Sequence, residues 1–295
     1  MIERTPNVFV VGTGPVASAM AGAMRHSGVP VLGLWGRRSD AVRKAAGVAG
    51  VAGFATPPDL ILEADVLLIA VKDDAIGDVA RRLVATGLVT RRHALLHCSG
   101  ALAAAEAFGG EAQKIGVAGV GTLHPLRSFP DVKEAARSLR GTVFGVEGDD
   151  HGRHLARQLC KLLGGTPLDL DGEGMGLYHA AAALAANALV ALFDAAAETL
   201  AAAGIPRDQA PAALLPLMRG TLENVGRVGI PEALTGPVGR GDAGTVAKHL
   251  AALAQRAPDV VALYRALSRR VLEVARAKGA APPEALEKIA GLLGG

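Results

Sequence analysis

Cysteine is almost missing from this 295-residue chain, which holds only Cys98 and Cys160. Two thiols so placed give no disulfide framework and no C-x-x-C site, which suits a reducing compartment. Aromatic residues make up 3% of the chain against a hydrophobic share of 50%. With alanine abundant, that balance argues for closely packed helices rather than a β-rich fold. Excess charge of one sign is lacking too, since 31 Lys and Arg face 28 Asp and Glu. No basic block or basic–aromatic stripe occurs, so nucleic acid is not an expected partner. The chain runs from Met1-Ile2-Glu3-Arg4 straight toward an apolar strand, without the pattern of a signal peptide. The most membrane-like run, Ala180 to Leu192, is interrupted by Asn187 and followed by Asp194. It falls short of the roughly 20 apolar residues that a spanning helix needs. A soluble, cytoplasmic protein with no membrane partner is expected. His151-x-x-His154 has no third ligand at suitable spacing, so no metal is expected either.

What is present begins at Val8-Phe9-Val10-Val11-Gly12-Thr13-Gly14-Pro15-Val16-Ala17. An apolar run opening into Gly-x-Gly-x-x-Ala and then an Ala-rich amphipathic segment is the strand–turn–helix that cradles a dinucleotide pyrophosphate. Gly12 permits the tight turn, Gly14 lets backbone N–H groups approach the phosphates, and Ala17 keeps helix and strand close. Thr13, Pro15 and Val16 complete the turn, and the helix N-terminus supplies partial positive charge. After the next hydrophobic run stands Gly36-Arg37-Arg38-Ser39, where an NAD enzyme usually places Asp or Glu. A carboxylate repels a 2′-phosphate, whereas guanidinium groups bind one. The expected cofactor is therefore NADP(H). The strand Asp65–Val71 should end beside it, so Val71 and Lys72 are expected to line it.

The length suggests two domains. Short apolar runs alternate with helical patterns over the first part, as in βαβ units. The spacing predicts strands at 7–12, 30–35, 51–55, 65–71, 93–98, 117–123, 142–147 and 166–170. From Gly172 strand signals vanish, and one helix is predicted from Gly174 to Ala203, ending at Gly204-Ile205-Pro206. Further helical periodicity covers 208–226, 243–255, 258–277 and 283–292. The fold class read here is α/β: an N-terminal Rossmann dinucleotide-binding domain over 1–170, then an all-α C-terminal dimerisation domain over 171–295. Its long apolar helices call for a second copy of the chain, hence a homodimer.

Hydride transfer needs a substrate held at the carboxyl ends of the strands, usually beside a proton donor. Ser99, in His97-Cys98-Ser99-Gly100, and His124, in Leu123-His124-Pro125, fall at such ends. His124 can shuttle a proton, Ser99 can orient a substrate oxygen, and Arg127 can clamp a carboxylate. A Ser-Gly or His-Pro at a strand end is also an ordinary turn. His97 and Cys98 read as buried strand residues. Tyr178, His179 and Asn187 interrupt an otherwise Ala/Leu face, and His179 and Asn187 lie two helical turns apart. That stripe fits either a substrate contact or a polar contact in a helical dimer core. In the second half, Leu234 to Thr245 is the only Gly-rich loop. Thr235, Gly236, Arg240 and Asp242 are read there as substrate-binding, with Lys248 a second proton-donor candidate.

At these residues the chain resembles the DUF2520 family, within the superfamily of pyrroline-5-carboxylate reductases, β-hydroxyacid dehydrogenases and 6-phosphogluconate dehydrogenases. The likeness runs through Gly12–Ala17, Gly36–Ser39, His97–Gly100, Leu123–Phe129, Tyr178–Asn187 and Thr235–Asp242. It implies a Rossmann domain, a helical dimerisation domain and reductase activity. Ser99 and His124-Pro125 also resemble the catalytic Ser and His-Pro of prephenate dehydrogenases. The Lys-x-x-x-Asn of β-hydroxyacid dehydrogenases is matched at Asn187 but not at Ala183, so that family's catalytic lysine has no counterpart. The Thr235–Thr245 loop sits where pyrroline-5-carboxylate reductases carry Ser-Pro-Gly-Gly-Thr-Thr, with different residues.

The expectation is an NADPH-dependent reductase of a small carboxylate-bearing carbonyl or imine, such as a 2-keto acid like ketopantoate or a cyclic imino acid. A non-enzymatic NADP(H)-binding sensor or assembly protein is the alternative, and an F420-dependent NADP oxidoreductase a third.

Overall fold

Strand β1 (Val8–Val11) is wholly buried and splits its side chains between two cores. Val8 and Val10 point into one, and Phe9 and Val11 into the other. The same alternation recurs at Val66 and Leu68 against Leu67 and Ile69 in β4 (Val66–Ile69). Strands covered on both faces read as continuous apolar runs, which is why these segments show no polar side. The computed structural model describes residues 4–294. Two compact units result, Met1–Ala186 and Asn187–Gly295.

The first unit is an eight-stranded sheet. Beside β1 and β4 it holds β2 (Val31–Trp35), β3 (Gly53–Phe54), β5 (Ala94–His97), β6 (Gly119–Pro125), β7 (Val143–Gly148) and β8 (Thr166–Asp169). Their spatial order is β3-β2-β1-β4-β5-β6-β7-β8. All neighbours are parallel except β6 and β7. The order reverses between β1 and β4, the place where such sheets open a ligand crevice at the strand carboxyl ends.

One core packs β1 and β4 against α1 (Pro15–His26), α2 (Ser39–Ala49), α5 (Val132–Arg137) and α6 (Asp150–Leu162), through Met20, Val42, Ala135 and Leu159. The other packs them against α3 (Ile76–Ala85) and α4 (Ala104–Ile115), through Ile76, Leu83 and Phe108. Every predicted strand is present, and the fold class is the expected one.

The predicted helix over 174–203 is interrupted. At Ala186 the helical backbone is distorted (φ −115°, ψ −66°), and this residue separates α7 (Met175–Ala185) from α8 (Asn187–Ala202). The apolar stretch is also longer than Ala180–Leu192. Met175–Ala202 spans 28 residues and contains an 18-residue window of mean hydropathy 1.7, by length and composition enough to cross a bilayer, and only 6% of that window is buried.

The second unit has helices and connecting turns but no strand among its described residues. After α8 come α9 (Ala210–Val228), α10 (Ile230–Ala233), α11 (Gly236–Gly239), α12 (Ala243–Arg256), α13 (Val261–Lys278) and α14 (Pro283–Leu293). Val246, Leu272, Ile289 and Leu293 centre its main core. Leu253, Ala257 and Val260 form a smaller one with Tyr264 and Ala195.

Candidate active site

Gly12 sits at φ +135°, and a Cβ there would overlap the carbonyl oxygen of Ala70. Only glycine allows β1 to turn into α1 this close to β4. Neither α1 nor α2 has a side-chain cap at its start, where Gly14 and Arg38 stand. The first-turn N–H groups of α1 are thus left for a ligand, whereas in α2 the Asp40 carboxylate bears on the backbone of its own first turn. One cavity of about 640 Å³ collects the predicted cofactor residues. Gly12, Thr13, Gly14, Pro15 and Val16 form one wall, Gly36, Arg37 and Arg38 a second, and Val71 and Lys72 a third. Ala17 and Ser39 are not on the wall: Ala17 is buried inside α1, and Ser39 opens α2.

The two arginines differ. Arg38 binds both oxygens of Asp40, at 3.2 and 2.7 Å. That hydrogen-bonded pairing pulls the Asp40 carboxyl down to about 2. Such an exposed pair is weak and yields readily to a stronger anion. Arg37 has no ion pair or hydrogen bond among the described residues. Cys98 also lines the cavity, and burial pushes its thiol up to about 12, which removes it as a nucleophile.

Beyond Cys98, the strand ends build a polar group that rests on sheet register. His97, Thr122 and Glu147 are direct neighbours across β5, β6 and β7. All three are buried. The Thr122 hydroxyl donates to Glu147 Oε2 at 3.2 Å, and the same oxygen accepts Ala104 N–H at 2.8 Å. Ala104 opens α4, so Glu147 caps that helix from a distant strand. Ser99 N–H donates to His97 Nδ1 at 3.1 Å. The His97 proton therefore sits on Nε2 and is donated to Thr122 Oγ1, 3.1 Å away. Burial, aided by the nearby His124, lowers the His97 pKa to about 4.

Ser99 itself is 5% exposed, and its hydroxyl oxygen accepts the N–H groups of Ala101 and Leu102. It thus shapes the turn that carries Gly100. A Cβ at Gly100 would come within 2.9 Å of both His124 Nε2 and His179 Cδ2. Glycine here lets the loop backbone lie directly against two imidazoles.

His124 is half-buried in β6 and pairs with Tyr178 in α7, with Nδ1 and the phenolic oxygen 2.8 Å apart. Their rings meet edge-on at 5.5 Å. Gly145 makes room, since a Cβ there would be 2.7 Å from the phenolic oxygen. His179 lies edge-on to His124 with centroids 6.0 Å apart. Burial first, then His179, lowers the His124 pKa to about 4, while Asp73 on the cavity wall acts in the opposite direction. Burial raises the pKa of Tyr178.

The structure does not bring Arg127 into this group. Its guanidinium contacts Ser138 O at 3.4 Å and Glu134 at 3.7 Å. In the second unit, Asn187 is exposed at the start of α8, and Lys248 is exposed on α12. The Gly-rich stretch holds α11, with Thr235 before it and Gly236 as its first residue. Arg240 is exposed. Asp242 caps α12, accepting Thr245 N–H at 2.9 Å and its hydroxyl at 2.7 Å. Those bonds lower the Asp242 pKa.

Sequence reasoning missed Tyr178 as the partner of His124, and it missed the Thr122–Glu147 pair. The available signals were a tyrosine interrupting an Ala-rich helix and one acid inside an otherwise apolar strand.

A domain family described as "Domain of unknown function (DUF2520)" matches residues 142–271. No curated protein matches the chain. Among solved structures it is similar to protein TM1727 from Thermotoga maritima, with TM-score 0.70 and 25% identity, covering 92% of this chain and 99% of that one. It is also similar to an imine reductase from Myxococcus stipitatus in complex with NADP+, with TM-score 0.63 and 17% identity over 92% and 93% of the two chains. A pyrroline carboxylate reductase from Plasmodium falciparum with NADP bound gives TM-score 0.59 and 12% identity, covering 98% of each. At these identities the likeness is one of fold.

Proposed function

We propose that this protein is an NADP(H)-dependent oxidoreductase that reduces a small carboxylate-bearing imine or carbonyl compound. The observation that carries this reading is the single cavity uniting the Gly12–Val16 turn, Arg37, Arg38 and Lys72, with Asp73 on its wall close enough to act on His124. The group fits on structural grounds: the uncapped start of α1 and an unpaired Arg37 side chain suit phosphates, and Gly12 leaves the backbone bare. The fold shared with reductases that bind NADP supports it.

The nicotinamide supplies a hydride when bound. Arg37 would hold the 2′-phosphate of that cofactor, and Arg38 could join it by exchanging Asp40 for the phosphate. His124 presents Nε2 beside Gly100, with His179 next to it, while Tyr178 holds its Nδ1. A histidine whose pKa falls to about 4 stores no proton at neutral pH. A protonated imine brings its own, so it fits this site better than a keto acid, which must draw a proton through the Tyr178–His124 pair. Arg127 can hold the carboxylate only by exchanging Glu134 for it.

The test is NADPH oxidation against a panel of cyclic imino acids and 2-keto acids. Turnover of the imines at least tenfold above the keto acids is expected. Arg37→Ala should raise KM for NADPH about tenfold and leave that for NADH unchanged, as loss of one charge-assisted contact implies. Tight NADPH binding with no turnover of either class would sink the enzymatic reading and leave a cofactor-binding protein. We also propose that the protein is soluble and pairs with a second copy through α8 and α9.

A further inference from the structure

The first unit carries another pocket, of about 370 Å³, that shares no lining residue with the cofactor cavity. His26 at the end of α1, Arg43, Lys44 and Gly47 on α2, and Lys133 and Arg137 on α5 surround it, and no carboxylate does. The side chains of Arg43, Lys44, Lys133 and Arg137 have no ion pair or hydrogen bond among the described residues. The acids on the same helices are engaged elsewhere. Asp40 holds Arg38, Glu134 faces Arg127, and Asp131 caps α5 by accepting the N–H groups of Lys133 and Glu134.

Lys133 and Arg137 stand four residues apart on one helix, where like charges repel. Four unpaired cations around one concavity focus positive potential and raise the local concentration of anions. The backbone beneath them is fixed. His26 Nδ1 lies 2.8 Å from Gly22 O and 3.1 Å from Ala136 O, so it donates to both. The pocket also has free space, since nothing lies within 4 Å of where a Gly47 side chain would start.

We propose that this pocket binds an oligophosphate, a chain of two or more phosphate groups, either free or at the end of a nucleotide. Bridging cations on α2 and α5 at once calls for an anion with charge at both ends, which a monovalent ion lacks. Lys and Arg bind phosphate as point charge and as fork respectively, and both types are present.

The experiment is calorimetric titration of tripolyphosphate and of ATP into the full-length protein, with NADP+ at saturation to occupy the cofactor cavity. Saturable binding is expected, weakening as salt is raised. Gly47→Glu puts a carboxylate into the pocket and should weaken binding at least tenfold. The exposed pair Lys133→Ala/Arg137→Ala should do likewise, with NADPH affinity unchanged in both. Tighter binding of ATP than of tripolyphosphate identifies a nucleotide, and equal or weaker binding a free oligophosphate. Binding that survives Gly47→Glu and the double substitution, or that disappears with Arg37→Ala, overturns the proposal. So does failure of both compounds to bind, including the case where an acidic peptide or an oligonucleotide binds instead.

Discussion

At Gly12 a single methyl group decides whether the turn from β1 into α1 can form. Gly12→Ala forces a Cβ toward Ala70 O at a φ that side chains rarely adopt. NADPH affinity, read by fluorescence titration, should drop at least tenfold, and an unchanged value would remove this turn from cofactor binding. His97 carries a pH dependence. Its folded pKa of about 4 lies below the ordinary 6.5 of the unfolded chain. Above pH 6.5 neither state binds the proton, so His97 contributes no slope. Between 6.5 and 4 the unfolded chain binds a proton that the folded one refuses, and stability falls as pH drops, by about 3 kcal/mol. Urea denaturation across that window should show the loss, and His97→Gln should remove the His97 share while leaving that of His124, whose pKa is lowered alike. Gly12 was legible because turn chemistry is local. Tyr178 was not, because it meets His124 from 54 residues away.

Among elements, the β5–β6–β7 ladder and α4 depend on one another through Glu147. Its carboxylate takes the Thr122 hydroxyl and the first N–H of α4 in a buried place. Glu147→Leu strands both donors, each costing roughly 1–3 kcal/mol. Chemical denaturation should register a loss of several kcal/mol, while Glu147→Gln, which keeps an acceptor, should lose about half as much. Equal losses for the two would show that the carboxylate acts through something other than acceptance. The eight strands were readable from their apolar runs. Their pairing was not, since a parallel sheet with one antiparallel neighbour places His97, Thr122 and Glu147 side by side only through register. The break at Ala186 left no mark in a sequence that is helix-forming on both sides.

For the molecule as a whole, the question is what covers the second unit. Val190 on α8 is 70% exposed, and Leu217 and Leu222 on α9 are 68% and 57% exposed. α8 packs against α9, and an apolar cavity of about 490 Å³ lies beside Leu192, Leu200, Leu253 and Tyr264. Large apolar patches of this kind mark interaction surfaces. Light scattering should therefore report a dimer, and Leu217→Glu/Leu222→Glu should give a monomer; a monomeric parent would end the homodimer proposal. The sequence by itself determined the Gly12–Ala17 turn, the arginines after β2, the strands and the helical second half. These features are written in neighbouring residues, through turn geometry and the periodicity of burial. Only the tertiary structure decided that His124 meets Tyr178, that Glu147 caps α4, that Arg127 faces Glu134 and that unpaired cations gather between α2 and α5. Each joins residues distant in the chain, and such contacts exist only once packing and sheet register have brought those residues together.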